Sequence, residues 1–255
     1  MPEHLTGGRF AAPVRHGDVV ERQALPPNSR ALLRHFETVG FDLAPRYLGT
    51  SADGRRDRLS YVEGATGSPP LPAALRSDEA LVSVARAIRA MHDATEGFVP
   101  VDDGWRHQEY AVPVVTDCIG HGDLAPWNLV FAGTEVTGII DWDTARPSNR
   151  AWDLAYAAHQ FVPFHPTGDL PLWGWPTPPD RSARLRLFCS AYGADVTPAD
   201  LVDLAVLRLL GVAAEMAQQI RAGNRAYAVQ AADDHPAGYR KAAAWILAER
   251  ESLLG

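Results

Sequence analysis

The residues able to do chemistry are concentrated between 118 and 143. Cys118-Ile119-Gly120-His121-Gly122-Asp123-Leu124-Ala125-Pro126-Trp127-Asn128-Leu129-Val130-Phe131 is followed by Gly138-Ile139-Ile140-Asp141-Trp142-Asp143. Short apolar runs flank the polar residues, which predicts a strand entering a loop at His121 and a second strand leaving it after Asn128. A turn at Ala132-Gly133 then reverses the chain, and a third strand ends at Asp141. Such a hairpin returns Asp141 to the end of the fold that holds Asp123 and Asn128. Two carboxylates and a carboxamide would converge at one loop mouth. That set suits phosphoryl transfer, whose transition state needs positioned oxygens and metal ions more than covalent help. Magnesium takes hard oxygen donors and keeps several waters, so one carboxylate and one amide oxygen are a sufficient protein share. The other carboxylate can orient a substrate hydroxyl and accept its proton.

The elements that must position this stretch fall into two groups. Residues 1–64 read as a small mixed lobe. Val14–Gln23 forms a hairpin around His16-Gly17-Asp18, and Pro26-Pro27-Asn28-Ser29 punctuates the chain. A helix follows over Ala31–Val39 with Leu32, Leu33 and Phe36 on one face, ended by Gly40. Strands around Arg46–Leu48 and Arg58–Val62 flank a turn at Ser51-Ala52-Asp53-Gly54, and Gly64–Pro72 reads as a linker. The remainder, 65–255, reads as mainly helical. Ser77 caps a helix starting at Asp78, a polar stretch extends to about residue 110, and strands are expected over Val112–Ile119, Leu129–Phe131 and Val136–Ile140. Helices resume near 151–161 and 180–192. Thr197-Pro198-Ala199-Asp200 opens another that runs to Ala222, and Pro236 separates two C-terminal pieces. Pro163–Pro179 reads as an irregular insertion between helices.

HGDLAPWN followed by IIDWD resembles the catalytic and metal-binding motifs of the aminoglycoside phosphotransferase family, small-molecule kinases of the protein-kinase-like fold. The resemblance implies an α+β, two-lobed architecture, with a nucleotide-binding lobe over 1–64 and a helical lobe over 65–255 carrying the catalytic loop and acceptor site. It implies ATP and Mg2+ as cofactors, Asp123 as catalytic base, and His121 as the residue holding the catalytic loop. Asn128 and Asp141 become the magnesium ligands. Trp152-Asp153-Leu154-Ala155 resembles the family's next segment, in which the acid braces the catalytic loop from a helix.

The chain departs from this pattern in the small lobe. Kinase-like folds carry a strand lysine that reaches the phosphates and pairs with a helix glutamate. Here residues 1–240 contain no lysine, and the only one is Lys241. Arg22, ending Val19-Val20-Glu21-Arg22 just before the first helix, is the substitute, since guanidinium binds phosphate bidentately and stays charged. Glu37 is the only acid of that helix and so the candidate partner of Arg22. No G-x-G-x-x-G loop is present, and Gly7-Gly8 and Gly17 are its nearest equivalents. Arg22, Tyr61 and Glu63 form the candidate nucleotide-binding set. Asp143 either reaches a second metal or hydrogen-bonds nearby backbone. His92, on an apolar helix face, reads as a core histidine.

Composition excludes other classes. With 46% hydrophobic residues the chain can bury a core, which argues against disorder. Asp117 and Arg208 interrupt the apolar runs short of the ~18–20 residues a bilayer needs, so no membrane partner is expected. The start lacks a signal-peptide layout, and Cys118 and Cys189 read as reduced core thiols; a cytoplasmic location is the expectation. A net charge of −7 argues against nucleic acid and is compatible with a small hydroxylated acceptor that is cationic. Asp102, Asp103, Glu109, Asp233 and Asp234 are acids that could face such a cation, or be plain solvated surface. An alternative function is a non-catalytic kinase-like protein that binds nucleotide or a partner.

Overall fold

A computed structural model describes residues 3–5, 13–101, 104–106, 115–193 and 196–255. In the small lobe, β1 (Glu3–His4), β2 (Val14–His16), β3 (Val19–Gln23), β4 (Tyr47–Thr50) and β5 (Arg56–Ser60) form one antiparallel sheet in the order β1-β2-β3-β5-β4. Helix α1 (Pro27–Val39) packs Leu32, Leu33 and Phe36 into the core and ends at Gly40, whose φ of 74° is the left-handed cap. It begins earlier than its apolar spacing predicts. Pro27 sits in the first turn, where a missing N–H costs nothing, and the buried Asn28 Oδ1 accepts from the Val101 amide at 2.8 Å. Sheet and helix are tied by Asp57, fully buried on β5, which accepts from Arg30 Nε and from the Leu25 amide.

The segment expected to be a linker holds a strand. In it, β6 (Ala65–Thr66) pairs with β8 (Leu129–Ala132), which pairs with β9 (Glu135–Ile139). The hairpin expected after Asn128 is therefore present, with its reversal at Gly133-Thr134. The strand expected over Val112–Ile119 is shorter: β7 (Cys118–Gly120) pairs antiparallel with β10 (Arg146–Ser148), residues 115–117 are not in a strand, and 111–114 lie outside the described residues. Gly7-Gly8, Asp102, Asp103 and Glu109 also lie outside them.

Helices form the rest of the larger lobe: α2 (Asp78–Ala94), α3 (Arg150–Phe161), α4 (Arg181–Tyr192), α5 (Pro198–Arg221), α6 (Ala228–Ala232), α7 (His235–Ala248) and α8 (Arg250–Leu254). Their starts follow local chemistry. Ser77 Oγ accepts from the Ala80 amide, and Thr197 and Asp200 form a reciprocal capping box. Leu81, Val84, Ile88 and Met91 of α2 are fully buried at the centre of the lobe. Pro163–Pro179 is more ordered than its composition suggests, with a 3-10 segment over Thr167–Trp173 that buries Leu170. Among the described residues, no helix is long and apolar enough to cross a membrane, and both cysteines are free. Cys118 is only half-buried, whereas Cys189 is a core thiol held at about 12 by burial.

Against that 3-10 segment lies a buried histidine pair. His159 Nδ1 donates to the Phe164 carbonyl at 3.0 Å, its ring lies 4.2 Å from His165, and His165 stacks on Trp173 at 4.0 Å. Burial lowers His159 to about 4 and His165 well below the ordinary value. The unfolded chain titrates both near ~6.5, so it binds more protons than the native state below that pH. Stability is thus full above pH ~6.5 and is lost as the pH falls towards 4. His159 alone should cost about 2 kcal/mol between pH 8 and pH 5. Melting curves at those two pH values check this: His159→Gln should show a smaller pH-dependent drop than the wild type, and an equal drop would refute it.

Candidate active site

β7 delivers His121 to the loop mouth, where His121 and Gly122 are held from behind. Asp153, on α3 and 1% exposed, accepts the His121 amide on Oδ2 at 2.8 Å and the Gly122 amide on Oδ1 at 2.9 Å. His92 Nε2 donates to the same Oδ2 at 3.2 Å, and the Tyr192 hydroxyl donates to His92 Nδ1 at 2.9 Å. His92 is thus a core histidine with both nitrogens used. Burial of Asp153 works against its charge, but the hydrogen bonds and the neighbouring histidines outweigh it, bringing the carboxyl down to about 2. His121 Nε2 donates to the Ile140 carbonyl at 2.9 Å and its Nδ1 accepts from the Asp123 amide at 3.3 Å, so the ring staples the loop to the end of β9.

Gly122 is required by a close approach. Its φ is +81°, and a Cβ there would lie 2.6 Å from the Thr144 carbonyl oxygen. Its own carbonyl accepts from Arg208 Nη2 at 2.6 Å. Arg208 is 2% exposed on α5 and escaped the sequence reading as a site residue, although a lone arginine in Leu204–Leu210 was its signal.

Asn128 Nδ2 donates to the Asp123 carbonyl at 2.8 Å and to Asp123 Oδ2 at 2.9 Å. This orients the amide so that Oδ1 is the remaining donor atom for a cation. The Ile140 amide donates to the Asn128 carbonyl at 2.9 Å, which sets β9 beside the loop. Asp141 then adopts φ 65° and ψ 61°, a left-handed conformation that aspartate tolerates better than most residues, and turns the chain into a 3-10 turn over Trp142–Thr144. Trp142 is buried against Phe36 of α1 and against His121, each at 4.9 Å between ring centres, while Ser29 Oγ donates to its carbonyl.

Arg22 crosses from β3 to this turn. Nη1 donates to Asp141 Oδ1 at 3.0 Å, and Nη2 lies 2.7 Å from Asp143 Oδ1. The guanidinium is therefore aimed into the cleft towards Asp141. Burial opposes its charge, but Asp141 and Asp143 prevail and raise its pKa further above the usual arginine value. The pairing with Glu37 does not form: Glu37 Oε1 accepts the Tyr47 amide at 2.9 Å instead, because it lies near the far end of α1. Asp143 is turned towards side chains rather than nearby backbone. It is an ion-pair partner of Arg22 and of Arg106, whose Nη2 lies 3.3 Å from Oδ2. Burial, with the neighbouring Asp141 charge, raises its carboxyl above the ordinary range despite both arginines. Arg106 lay in a polar stretch without periodicity and gave no sequence signal. Tyr61 and Glu63 are drawn to Arg15, which sits 3.5 Å over the Tyr61 ring and pairs with Glu63 Oε1 at 2.9 Å. Asp233 and Asp234 are exposed, and Asp234 caps α7.

A sheet lobe with one helix, a helical lobe, and a loop-and-hairpin site between them make up a two-lobed, protein-kinase-like fold. The comparisons agree. A family model described as "Phosphotransferase enzyme family" matches residues 101–188. The trifolitoxin immunity protein of Rhizobium leguminosarum bv. trifolii is 30% identical, over 98% of this chain and 96% of that protein. Among solved structures, ethanolamine kinase from Plasmodium vivax superposes with a TM-score of 0.64 at 11% identity, over 96% of this chain and 81% of that one. The GDP complex of aminoglycoside 2'-phosphotransferase-IIIa gives 0.60 at 16%, over 96% and 92%. The chain belongs to the aminoglycoside phosphotransferase family.

Proposed function

We propose that this protein is an ATP- and magnesium-dependent kinase that transfers the γ-phosphoryl group to a hydroxyl of a small molecule. The observation that carries the reading is the Asn128 amide fixed on Asp123 Oδ2, with Asp141 turned towards the same cleft and facing Arg22. The donor set suits magnesium: Asn128 Oδ1 is an amide oxygen left free by its own hydrogen bonds, and Asp141 keeps one carboxylate oxygen beyond the one Arg22 holds. When bound, magnesium would offset charge on the β- and γ-phosphates. Asp123 accepts the acceptor hydroxyl's proton as the new P–O bond forms and the bond from the γ-phosphorus to the bridging oxygen breaks, releasing ADP, and the Asn128 hydrogen bond fixes which Asp123 oxygen takes the proton. His121, through the Ile140 carbonyl and the Asp123 amide, holds that loop in place. The small lobe, 1–64, contributes Arg22 to the phosphates, with Tyr61 and Glu63 at the nucleotide's other end. The cytoplasm, where ATP is present and thiols stay reduced, is the assigned location.

A second reading is a non-catalytic protein of the same fold, favoured by the absence of a lysine from residues 1–240. Thermal stabilisation by ATP and by GTP, with and without magnesium, is measured first. Phosphoryl transfer is then assayed on hydroxylated compounds including aminoglycosides, ethanolamine and, because of the relative's name, trifolitoxin. Magnesium-dependent stabilisation with transfer supports the kinase. Stabilisation without transfer to any acceptor favours the second reading, and no nucleotide binding removes the kinase and leaves the second reading only as a partner-binding protein.

Arg22→Ala is expected to weaken MgATP binding by about 1.5–3 kcal/mol, the range for a hydrogen bond to a charged group. Arg22→Lys should restore only part, because the fork is lost. Calorimetry on folded variants checks this, and an unchanged affinity for Arg22→Ala would remove Arg22 from the phosphate site.

A further inference from the structure

We propose that Asp143 is the positioning residue that holds Arg22 towards the nucleotide, the task a helix glutamate performs in kinase-like folds, and that it is not a metal ligand. The inference rests on the nucleotide-binding reading above and deepens it. Four observations carry it.

First, each Asp143 oxygen lies within ion-pair distance of a guanidinium, Oδ1 2.7 Å from Arg22 and Oδ2 3.3 Å from Arg106, although Oδ1 receives no directed hydrogen bond. A metal ion could enter only by breaking a pair in a site where the carboxylate is 8% exposed. Second, α1 has no acid to offer. Its only carboxylate, Glu37, is committed to the Tyr47 amide. Third, Asp57, which stands opposite Arg22 across the β3–β5 pairing, is committed to Arg30, the Leu25 amide and the Thr50 hydroxyl. Fourth, the other acid on Arg22 is Asp141, which has the metal to serve. A cation held by Asp141 would draw its charge from the guanidinium and leave Asp143 as the acid that fixes Arg22.

The positions also make structural sense. Buried Trp142 separates the two acids and anchors the turn against α1, so both carboxylates present themselves to one guanidinium. Arg106 takes up the second Asp143 oxygen and stops the carboxylate from rotating away. The acid has moved from the helix to the metal-binding turn, two residues after the metal ligand, while the cation has kept its strand.

The test is a double-mutant cycle on the full chain with MgATP: wild type, Arg22→Ala, Asp143→Asn and the pair, measured by calorimetry and by steady-state kinetics. Asp143→Asn should raise the dissociation constant and the KM for ATP roughly 5- to 20-fold, with the larger loss on KM rather than kcat, the scale of one charged-pair contact. The double variant should bind no worse than Arg22→Ala alone, and Asp143→Glu should recover part of the loss. Losses that multiply, or wild-type affinity in Asp143→Asn, would overturn the proposal. So would a rise in the magnesium concentration needed for half-maximal activity at saturating ATP, which marks a metal ligand. If Asp143→Asn does not melt cooperatively, Asp143→Glu replaces it in the cycle: its KM for ATP should rise while its magnesium midpoint stays put, and the reverse pattern refutes the assignment. A wild-type protein that binds no nucleotide would fell the kinase reading along with this one, whereas normal wild-type binding and an unaffected Asp143→Asn would fell this one alone.

Discussion

Asp123→Asn is expected to lower turnover by roughly 10²- to 10⁴-fold while leaving MgATP affinity within about 2-fold of the wild type. The substitution is isosteric, so Asn128 Nδ2 can still find an oxygen at the position of Asp123 Oδ2, and the backbone bond to the Asp123 carbonyl is untouched. What disappears is the group proposed to take the hydroxyl proton. The nucleotide contacts proposed for Arg22 and Asp141 do not run through the Asp123 carboxylate, so binding and chemistry should separate. Single-turnover phosphorylation of whichever acceptor the screen identifies, alongside calorimetry with MgATP, measures the two. Wild-type turnover in a folded Asp123→Asn protein would sink the base assignment without touching the fold.

The second large effect concerns stability. Asp153 takes two loop amides and His92 inside the core, and removing one partner of a buried charged network costs about 3–5 kcal/mol. Asp153→Ala strands the His121 and Gly122 amides and the His92 Nε2 together. For a chain of this size that should appear as a fall in Tm on the order of 10 °C, with a matching drop in the urea midpoint. The same residue contributes to acid sensitivity. Its folded carboxyl lies at about 2, below the unfolded value, so its stabilisation is complete above the unfolded pKa of ~3.9 and drains away as the pH falls towards 2. A Tm within 2 °C of the wild type in Asp153→Ala would show that the loop is held by other means.

The loop and hairpin of the site were legible because they are written locally. His121, Asp123, Asn128 and Asp141 fall within 21 residues, and alternating apolar runs announce the strands that carry them. Caps were legible for the same reason: Ser77 and Thr197 act on amides three residues ahead. Less was readable where a contact spans the chain. Arg22 and Asp141 are 119 positions apart, and only the missing lysine drew attention to that arginine. Asp143 and Arg106 carry no periodic signal at all, since an ion pair leaves no mark on the spacing of its neighbours. Asp57 shows the limit most plainly. A fully buried aspartate between Arg56 and Arg58 on a short strand looks like solvated surface until the helix that brings Arg30 to it is in place. Pro26–Ser29 misled for a related reason, because tertiary bonds to residues 101 and 104 turn a stretch of helix breakers into a first turn.

If Arg22 takes the place of the strand lysine, as proposed, the cleft proposed for the nucleotide offers no lysine amine to an electrophile. An activated acyl group carried on a nucleotide would form an amide with a nearby lysine amine, expelling its leaving group, and a guanidinium, protonated at any practical pH, does not compete in this reaction. The chain's one lysine, Lys241, lies on α7 and is held by Asp169 at 2.6 Å. A survey of cellular kinases by amine-directed nucleotide probes would pass over this protein even when it is abundant and active. Its silence in such a survey would be a property of one side chain on β3.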